Sequence, residues 1–455
     1  MNKNIEVIEL DRRDFLKGAS ASTIAAAMGT AVLNKAWAQD EYQSATEGES
    51  INVGLIGCGY HGRELIGEFP GVAGANLAAI CETYPAYLRR AGRMAKDADR
   101  FEDYQELLKR DDIPAVVIAT PTQLHREITI AALEAGKHVY LEAPIANTID
   151  DARAIAQAAK ANPQAHFQAG LQLRSDPQRQ FVMDFIRTGA MGNQATGRAQ
   201  HNQKASMRRS SPNRDRELEL NWRLDKTIST GLAGEFGVHQ IDAASWIYGA
   251  KPKAVTGFGS IVNWKDGRTV DDTIHALFEY EGGTLFHFDS TLASSFDAAY
   301  EVFQGSLASV MFRDGSKAWM FKEADAPALG WEVYAQKDDF YKETGIALLA
   351  DATKQASRFA KDGEKAAEPT LFHWALESFA TNAILHNNAV KDFSEFYDIE
   401  DKEGLVDYLS DIESSKLPYA DYKRGFEATV TSLIANEAVM GRKRIEISED
   451  SYSLS

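Results

Sequence analysis

The sequence is poor in cysteine: Cys58 and Cys81 are the two thiols in 455 residues. Two cysteines cannot build a disulfide framework, and neither lies in a spacing typical of metal ligands. We therefore interpret both as buried or loop thiols without chemistry. The chain also shows no internal repeat, low-complexity tract or heptad run, which leaves an ordinary globular composition.

The sequence also has fewer basic than acidic residues. Lys and Arg total 49 against 66 Asp and Glu, which gives a net charge of −17. Nucleic acids and anionic membrane surfaces require a basic footprint, so neither is expected as a partner. With 455 residues, 44% of them hydrophobic, the chain is long enough for two or three domains with large cores.

The apolar run at residues 19–33 is too short and too rich in small residues for a membrane span. It follows an Arg-Arg pair at residues 12–13 and precedes an A-x-A motif at residues 36–38. This arrangement predicts a twin-arginine signal peptide over residues 1–38, with an amphipathic N-terminal helix as the alternative. Residues 39–50 are then a polar linker. We expect a periplasmic or extracellular protein that does not associate with a membrane once the signal is removed.

The stretch INVGLIGCGYHGRELIG, which begins at residue 51, is typical of a nucleotide-binding turn. A buried strand leads into Gly57-x-Gly59-x-x-Gly62 and then into a helix. Gly57 permits the tight turn, Gly59 lets the backbone approach a pyrophosphate, and Gly62 lets the helix pack on the strand. Glu82 ends the next strand-like run, where an acidic residue contacts the ribose. The sequence therefore predicts dinucleotide binding.

The dinucleotide is expected to be NAD, because an acidic residue such as Glu82 suits the ribose 2′-hydroxyl. Arg89 and Arg90 leave NADP as the alternative. Tyr60 and His61, inside the glycine loop, are assigned to the cofactor site with the glycines. Because no pool of free NAD is expected outside the cell, we predict that the cofactor does not dissociate. A second substrate must then reoxidise it, or the reaction must be redox-neutral.

The fold class predicted is α/β, with two domains. Residues 51–170 alternate apolar runs and helical stretches, which predicts a Rossmann domain with a doubly wound parallel sheet. Over residues 171–455 we predict an α+β domain for substrate binding and oligomerisation, with an open, largely antiparallel sheet. The apolar runs expected as parallel strands are residues 51–56, 76–80, 115–120, 138–141 and 166–171. Longer β-rich runs follow at 254–264, 273–280, 284–292 and 301–319, with turn signals at residues 266–267, 282–283 and 314–315. Helices are expected at 149–161, capped by Thr148, at 372–386 and before Gly441, whereas residues 392–422 receive no functional interpretation.

Three motifs together resemble the glucose-fructose oxidoreductase and inositol dehydrogenase (Gfo/Idh/MocA) family over roughly residues 51–447. They are GLIGCGYHG, VVIATPTQLHREITIAALEAGKHVYLEAP and GLAGEFGVHQID. The resemblance implies carbohydrate-like small-molecule substrates and a homo-oligomer formed through the C-terminal sheet. It also implies that Thr120, Pro121 and His125 line the cofactor near the nicotinamide.

At Glu142-Ala143-Pro144 the sequence departs from the family, whose usual triplet is Glu-Lys-Pro. The family lysine helps to move the hydroxyl proton during hydride transfer, and alanine cannot do so. Either the protein is a catalytically dead member, or another side chain handles the proton. A similar loss occurs in exported NAD-dependent glycosidases of the glycoside hydrolase family 109 type. Glu142 is still expected to contact the ribose.

The motif Glu235-x-x-x-His239-x-x-Asp242 matches the family's substrate motif. On one helix these positions share a face, so three polar groups can converge. A histidine is the natural acid or base near neutral pH, and a carboxylate fixes its tautomer. We predict a catalytic role for all three residues, with metal ligation and a capped helix start as alternatives. No metal ligand is assigned.

Polar residues upstream of this motif are predicted to bind the sugar. Lys204 and Arg223 are candidates for substrate contact, and Lys204 is a candidate replacement for the missing lysine. Trp222 offers a ring on which a pyranose can stack, and Gln172 and Arg174 are expected to line the same cleft. The alternative is a charged surface loop.

These expectations combine into one leading hypothesis. An exported, NAD-retaining enzyme would cleave a glycoside without net redox change, through transient oxidation at C3, removal of the C2 proton by His239 or a neighbour, and elimination at C1. The nearest alternative is a sugar or inositol dehydrogenase or a ping-pong sugar oxidoreductase. An alternative of another class is a non-catalytic, dinucleotide-bound sugar sensor.

Overall fold

The predicted parallel strands pair into one six-stranded sheet in the order β3-β2-β1-β4-β5-β6, all parallel. The strands are β1 Ile51–Ile56, β2 Ala75–Cys81, β3 Asp99–Phe101, β4 Ala115–Ile118, β5 His138–Glu142 and β6 Phe167–Gly170. β3 was not predicted, because its three residues are mostly polar and exposed. The other five lie within a residue or two of their predicted bounds.

The computed structural model describes residues 48–313, 317–327 and 369–454, together with the backbone of Gln336–Phe340 and Glu343–Leu348. The predicted signal peptide, most of the predicted linker and the turn at residues 314–315 lie outside the described residues.

Helices connect the parallel strands and cover the first sheet. They are α1 Tyr60–Glu68, α2 Pro85–Met94, α3 Tyr104–Leu108, α4 His125–Glu134 and α5 Ile149–Ala161. The capped start of α5 is as predicted, since the Oγ1 of Thr148 accepts a hydrogen bond from the Asp151 backbone N–H at 3.1 Å. The order of strands reverses between β1 and β4, and ligands bind at the carboxyl ends of strands beside such a point.

A second sheet has the order β14-β15-β13-β12-β11-β7-β10-β9-β8-β16, antiparallel except for the β7–β10 pair. Its strands are β7 Gln194–Asn202, β8 Ala254–Ser260, β9 Thr273–Glu279, β10 Leu285–Thr291, β11 Ala299–Gly305, β12 Ala308–Arg313, β13 Lys317–Lys322, β14 Gln336–Phe340, β15 Glu343–Leu348 and β16 Ile445–Glu446. The β-rich run predicted at 301–319 covers parts of three strands, β11, β12 and β13, and the break between β11 and β12 at residues 306–307 was not predicted. The expected open, largely antiparallel sheet is confirmed.

The remaining helices are α6 Pro177–Arg187, α7 Arg214–Leu220, α8 Gly231–Glu235, α9 Gly237–Tyr248, α10 Leu371–Phe396, α11 Lys402–Ile412 and α12 Tyr422–Gly441. The first half of α10 packs into the core of the first sheet, through residues such as Phe379 and Ala383. α12 contacts both β6 and β8, so it joins the two sheets. Residues 392–422 form the end of α10 and a helical hairpin with α11. In the described part of the chain, no helix is long and apolar enough to cross a membrane.

Candidate functional site

The glycine loop joins β1 to α1 at the carboxyl end of the sheet. Gly57 has φ +98°, and a Cβ there would come within 2.7 Å of the Ala119 backbone. A Cβ on Gly62 would come within 1.9 Å of the Gly57 carbonyl oxygen, so both positions require glycine as predicted. A Cβ on Gly59 would meet no described atom within 4 Å. The protein itself does not require glycine at position 59, whereas a ligand resting on the loop would.

The Glu82 carboxylate lies beside this loop. It accepts hydrogen bonds from the backbone N–H of Cys58 at 3.0 Å and of Tyr84 at 2.8 Å. Glu82 thereby connects the end of β2 to the glycine turn, close to where a ribose would lie. Burial raises the pKa of the Cys58 thiol and raises that of Cys81 to about 12, and nearby Glu82 adds to both shifts. Both thiols are buried and protonated, as the sequence indicated.

The turn after β4 contains Thr120, Pro121 and His125. The His125 ring is buried and its Nε2 lies 3.0 Å from the carbonyl oxygen of Thr120. Burial lowers the pKa of His125 to about 4, so the ring is neutral and supports the turn from inside. The buried Oγ1 of Thr120 has no hydrogen-bond partner among the described residues. Thr120 is thus one member of this turn with a polar atom to offer a ligand, and the Nδ1 of His125 is likewise without a hydrogen-bond partner among the described residues.

Glu142, the last residue of β5, is the centre of a buried polar cluster. Its Oε1 lies 3.0 Å from the Nε2 of His61 on α1, and its Oε2 accepts a hydrogen bond from Gln172 Nε2 at 3.3 Å. The other ring nitrogen of His61, Nδ1, lies 3.3 Å from Glu64 Oε2. The neighbouring residue is Ala143, where the family has lysine. A histidine therefore lies beside Glu142, next to the position that lost the lysine.

The surroundings of His61 favour its charged form. Burial alone would lower its pKa, but the carboxylates of Glu142 and Glu64 outweigh burial and raise the pKa to about 10. The edge of the ring packs against Phe372 at a centroid distance of 5.0 Å. At neutral pH His61 is an imidazolium held between two carboxylates. Its neighbour Tyr60 is exposed, with the Arg209 guanidinium 4.9 Å over its ring.

His239, on α9, lies near enough to Glu142 and His61 for their charges to affect its pKa. Burial lowers its pKa, the carboxylates of Glu142 and Asp242 oppose this effect, and the charge of His61 adds to it. Its Nδ1 is buried and without a hydrogen-bond partner in the described ranges. The two histidines near Glu142 therefore carry opposite protonation states at neutral pH. Two titratable groups whose pKa values are shifted in opposite directions are typical of an acid and a base in one site.

The predicted helical alignment of Glu235, His239 and Asp242 is wrong. α8 ends at Glu235, Phe236 breaks the helix with φ −123°, and α9 starts at Gly237. The carboxylate of Glu235 accepts hydrogen bonds of 2.7 Å each from Arg223 Nε and Thr230 Oγ1.

The Asp242 carboxylate is also occupied, because Arg174 binds it with two hydrogen bonds of 2.7 and 2.8 Å. Each predicted catalytic carboxylate therefore points at an arginine, and His239 remains as the group free for proton transfer. The arginine pairing of both carboxylates does not favour the metal site that the sequence left open.

The structure pairs several of the predicted sugar-contact residues with groups of the protein itself. Trp222 is 3% exposed and its ring is covered by the Arg223 guanidinium at 4.2 Å, so it cannot stack on a pyranose. Arg174 is buried against Asp242, and Arg223 is paired with Glu235. Lys204 is exposed beyond β7, where its backbone N–H bonds to Ser295 Oγ, and no described residue pairs with its Nζ. Lys204 as the replacement for the missing lysine stays a prediction.

Two residues of the cluster escaped the sequence analysis. Tyr140 precedes Glu142 by two residues on β5, and both side chains lie over Gly170, where a Cβ would come within 3.1 Å of the tyrosine hydroxyl. The alternation of a strand places them on one side, so this residue was open to prediction. Phe372, which packs on His61, comes from α10 more than 300 residues later, and no local signal connects the two.

Comparison with known proteins agrees with this architecture. Residues 51–170 match the family GFO_IDH_MocA, described as "Oxidoreductase family, NAD-binding Rossmann fold", and residues 180–310 match the "GFO/IDH/MocA C-terminal domain". Among solved structures, an oxidoreductase domain protein from Kribbella flavida covers 88% of this chain and 100% of its own, with 22% identity and a TM-score of 0.66. Levoglucosan dehydrogenase in complex with NADH and levoglucosan covers the same shares, with 20% identity and a TM-score of 0.64.

Curated relatives share more identity over shorter stretches. A "Glycosyl hydrolase family 109 protein" of Shewanella amazonensis is 36% identical over 159 residues, which is 31% of this chain and 35% of that protein. "Levoglucosan dehydrogenase" of Pseudarthrobacter phenanthrenivorans is 32% identical over 210 residues, 44% of this chain and 52% of that protein. The chain matches about a third to a half of the length of these relatives. Through both of its domains, it belongs to the Gfo/Idh/MocA family of NAD-binding oxidoreductases.

Proposed function

We propose that this protein is an exported, carbohydrate-active enzyme that retains NAD(H) and cleaves a glycoside without net redox change. The observation that carries the proposal is the pairing of His61 with Glu142 at 3.0 Å, beside Ala143. It supplies a cation where the family lysine is missing, next to a histidine of opposite protonation state. A catalytically dead member would have no need for this arrangement.

The residues at the carboxyl end of the first sheet fit NAD. The glycine loop and the start of α1 suit the pyrophosphate, and Glu82 suits a ribose hydroxyl. The Oγ1 of Thr120 has no hydrogen-bond partner among the described residues and is available to the cofactor. Bound NAD would accept a hydride from the sugar C3 and later return it. No residue of the chain needs to supply electrons, so the protein's task is to position the sugar and move protons.

His239 is the proposed base. Its neutral imidazole has a free Nδ1, which suits the removal of the C2 proton once C3 is a ketone and that proton is acidic. The His61 imidazolium is the proposed acid and hydroxyl-orienting cation, with Glu142 and Gln172 holding it in place. As the C1 substituent leaves, it would take a proton from His61. Water would then add at C1 and give a proton back to the neutral His61, while the protonated His239 would return its proton to C2. The hydroxyl proton released when C3 is oxidised would pass to solvent and be regained when C3 is reduced again, so protons and electrons balance over the cycle.

Export and cofactor retention are linked in this proposal. The Arg-Arg pair at residues 12–13 and the A-x-A motif at 36–38 support export by the twin-arginine route, which carries folded proteins. A cofactor loaded before export has no pool for exchange, so non-dissociating NAD favours a redox-neutral reaction. The similarity to glycosyl hydrolase family 109 proteins supports the same assignment.

The decisive experiment uses the purified exported protein. We expect one NAD per chain by mass spectrometry after denaturation, and exchange of the sugar C2 hydrogen for solvent deuterium without added cofactor. The His239→Gln variant serves as the matched control, because it should keep NAD and lose the exchange. Absence of both bound NAD and exchange would overturn the proposal.

A sugar dehydrogenase is the second candidate, favoured by the similarity to levoglucosan dehydrogenase. It predicts net oxidation of a sugar when NAD or an oxidised sugar acceptor is added, whereas the glycosidase needs neither. A sugar sensor would bind its ligand equally well after His239→Ala and would show no turnover in either form.

Exposed apolar residues on the outer face of the second sheet favour a homo-oligomer. Phe258, Leu277 and Leu285 are exposed on this face of neighbouring strands β8, β9 and β10. Apolar side chains grouped in this way are typical of subunit interfaces. Light scattering should report a multiple of the chain mass, and Phe258→Ser combined with Leu277→Ser should reduce it to the monomer.

A further inference from the structure

Three potential metal ligands meet on the outer face of the second sheet, away from the Glu142 cluster. They are His275 on β9 and His287 and Asp289 on β10. Asp289 is paired directly with His275 across the two strands, and His287 lies two residues before Asp289. Because side chains alternate along a strand, all three project to the same face. Their ligand atoms lie within 4.8 Å of one another.

The spacing of the two rings suits a shared ion. His275 Nδ1 and His287 Nε2 are 3.3 Å apart, and the rings lie with centroids 5.5 Å apart and planes 14° apart. Two nitrogens bound to one tetrahedral zinc, each at about 2.0–2.1 Å, are separated by about 3.4 Å. The observed separation therefore corresponds to one edge of a zinc coordination sphere.

The third ligand is a buried carboxylate with weak partners. Asp289 is 8% exposed, and its Oδ1 lies 3.4 Å from Arg198 Nη2 and 3.6 Å from His287 Nδ1. Both distances are long for charge-assisted hydrogen bonds, which are usually about 2.7–2.9 Å. The Arg198 side chain is 54% exposed, so it can move towards solvent when a second cation arrives.

We propose that His275, His287 and Asp289 bind one divalent transition-metal ion, with an exposed fourth position open to water. Two imidazoles and one carboxylate suit Zn²⁺, Ni²⁺ or Cu²⁺ better than Mg²⁺ or Ca²⁺, which prefer oxygen ligands throughout. The site is separate from the proposed sugar chemistry and does not depend on it. Its position among exposed apolar residues places the ion on the surface through which chains would associate.

The test is calorimetric titration of Zn²⁺ into full-length protein freed of metal with a chelator. We expect one ion per chain, bound at least tenfold more weakly after His275→Ala, His287→Ala or Asp289→Asn. Arg198→Gln should tighten binding, because it removes the cation that competes for the Asp289 carboxylate. Co²⁺ should give the visible absorption of a low-symmetry, four-coordinate ion.

The His61→Gln variant is the control for binding elsewhere, because the His61 and Glu142 cluster also brings a histidine and a carboxylate together in the described part of the chain. It should bind Zn²⁺ as the parent does. Two outcomes would overturn the proposal: no stoichiometric uptake by the parent protein, or uptake that survives His275→Ala and His287→Ala. Circular dichroism of each variant, matched to the parent, excludes loss of folding as the cause.

Discussion

The guanidinium of Arg174 holds the carboxylate of Asp242 through two parallel hydrogen bonds, and both side chains are buried. Arg174 follows β6 of the first sheet, whereas Asp242 lies on α9, so the pair joins the two parts of the site. The Trp246 ring lies against the guanidinium at 5.0 Å. The pair fixes α9, and therefore His239, relative to the glycine loop.

Removing one partner of this pair should destabilise the protein strongly. We expect Asp242→Ala to lower the free energy of unfolding by about 3–5 kcal/mol, because it leaves the buried Arg174 charge without a partner. Urea denaturation followed by circular dichroism measures the change. The double variant Arg174→Met, Asp242→Leu should recover most of the stability. If Asp242→Ala unfolds like the parent yet loses turnover, Asp242 is a catalytic residue and not a positioning one.

The His61–Glu142 pair predicts a kinetic effect without cofactor loss. His61→Gln should lower kcat by about 100-fold to 10,000-fold, the usual range for a general acid or base, while bound NAD stays near one per chain. Glu142→Gln should have a similar effect, because His61 then loses the carboxylate that keeps it charged. A kcat within a few-fold of the parent value would rule out a role for His61 in proton transfer.

The pH profile of the same reaction has two limits. His61 is protonated below its raised pKa of about 10, so activity should fall as pH rises through that value. His239 is neutral only above its lowered pKa, so activity should also fall on the acid side, at some pH below 6.5. The alkaline limb should be absent from the residual activity of His61→Gln. An unchanged alkaline limb in that variant would assign it to another group.

Buried histidines beneath the first sheet predict acid sensitivity of the fold. His138 Nδ1 accepts a hydrogen bond from the His166 backbone N–H at 2.9 Å, which requires a neutral ring. Burial, with the charge of nearby Lys416 adding to it, lowers the pKa of His138 to about 3 and that of His386 to about 4. The unfolded chain takes up these protons near pH 6.5 and the folded chain does not, so stability falls as pH drops below about 6.5.

When the pH falls from about 7.5 to about 5, each of these histidines should lower the free energy of unfolding by about 2 kcal/mol. Urea denaturation at both pH values measures the loss. Equal stability at the two pH values would show that the buried rings accept protons in the folded state.

The glycine loop offers a direct test of cofactor retention. Gly62→Ala places a Cβ about where the Gly57 carbonyl oxygen lies, so either the turn or the start of α1 must move. We expect the purified variant to contain far less than one NAD per chain while retaining its circular dichroism spectrum. Gly67→Ala, whose Cβ meets no described atom within 4 Å, is the control on the same helix. Full NAD content in Gly62→Ala would contradict the role of the glycine loop in retaining the cofactor.

Local signals explain which elements were predictable. The strands β1, β4 and β5 are buried on both faces and appear as continuous apolar runs. The turn after β1 is recognised from the spacing of Gly57, Gly59 and Gly62. β3 and β7 are more polar, so periodicity did not reveal them. Residues 301–319 resemble one β-rich run with a turn signal at Asp314-Gly315, so the break between β11 and β12 at residues 306–307 was not predicted.

The residues of the candidate site also differ in how far a local motif identifies them. Sequence identified Gly57, Gly62, Glu142 and His239, because each lies in a short motif whose spacing reflects one turn or one strand end. The roles of Arg174, Trp222 and Glu235 could not be read in this way. Whether a charged or aromatic side chain meets a substrate or a partner depends on which distant segment faces it.

The sequence by itself determined a Rossmann sheet, a glycine loop suited to a dinucleotide and the loss of the family lysine at Ala143. These features depend on contacts within a few residues, where backbone geometry restricts the choice of side chain. Only the tertiary structure decided that His61 lies against Glu142 and that Asp242 belongs to Arg174. Such pairings join residues 68 to 81 positions apart, and electrostatic attraction between buried groups depends on distance in space, which the order of residues does not contain.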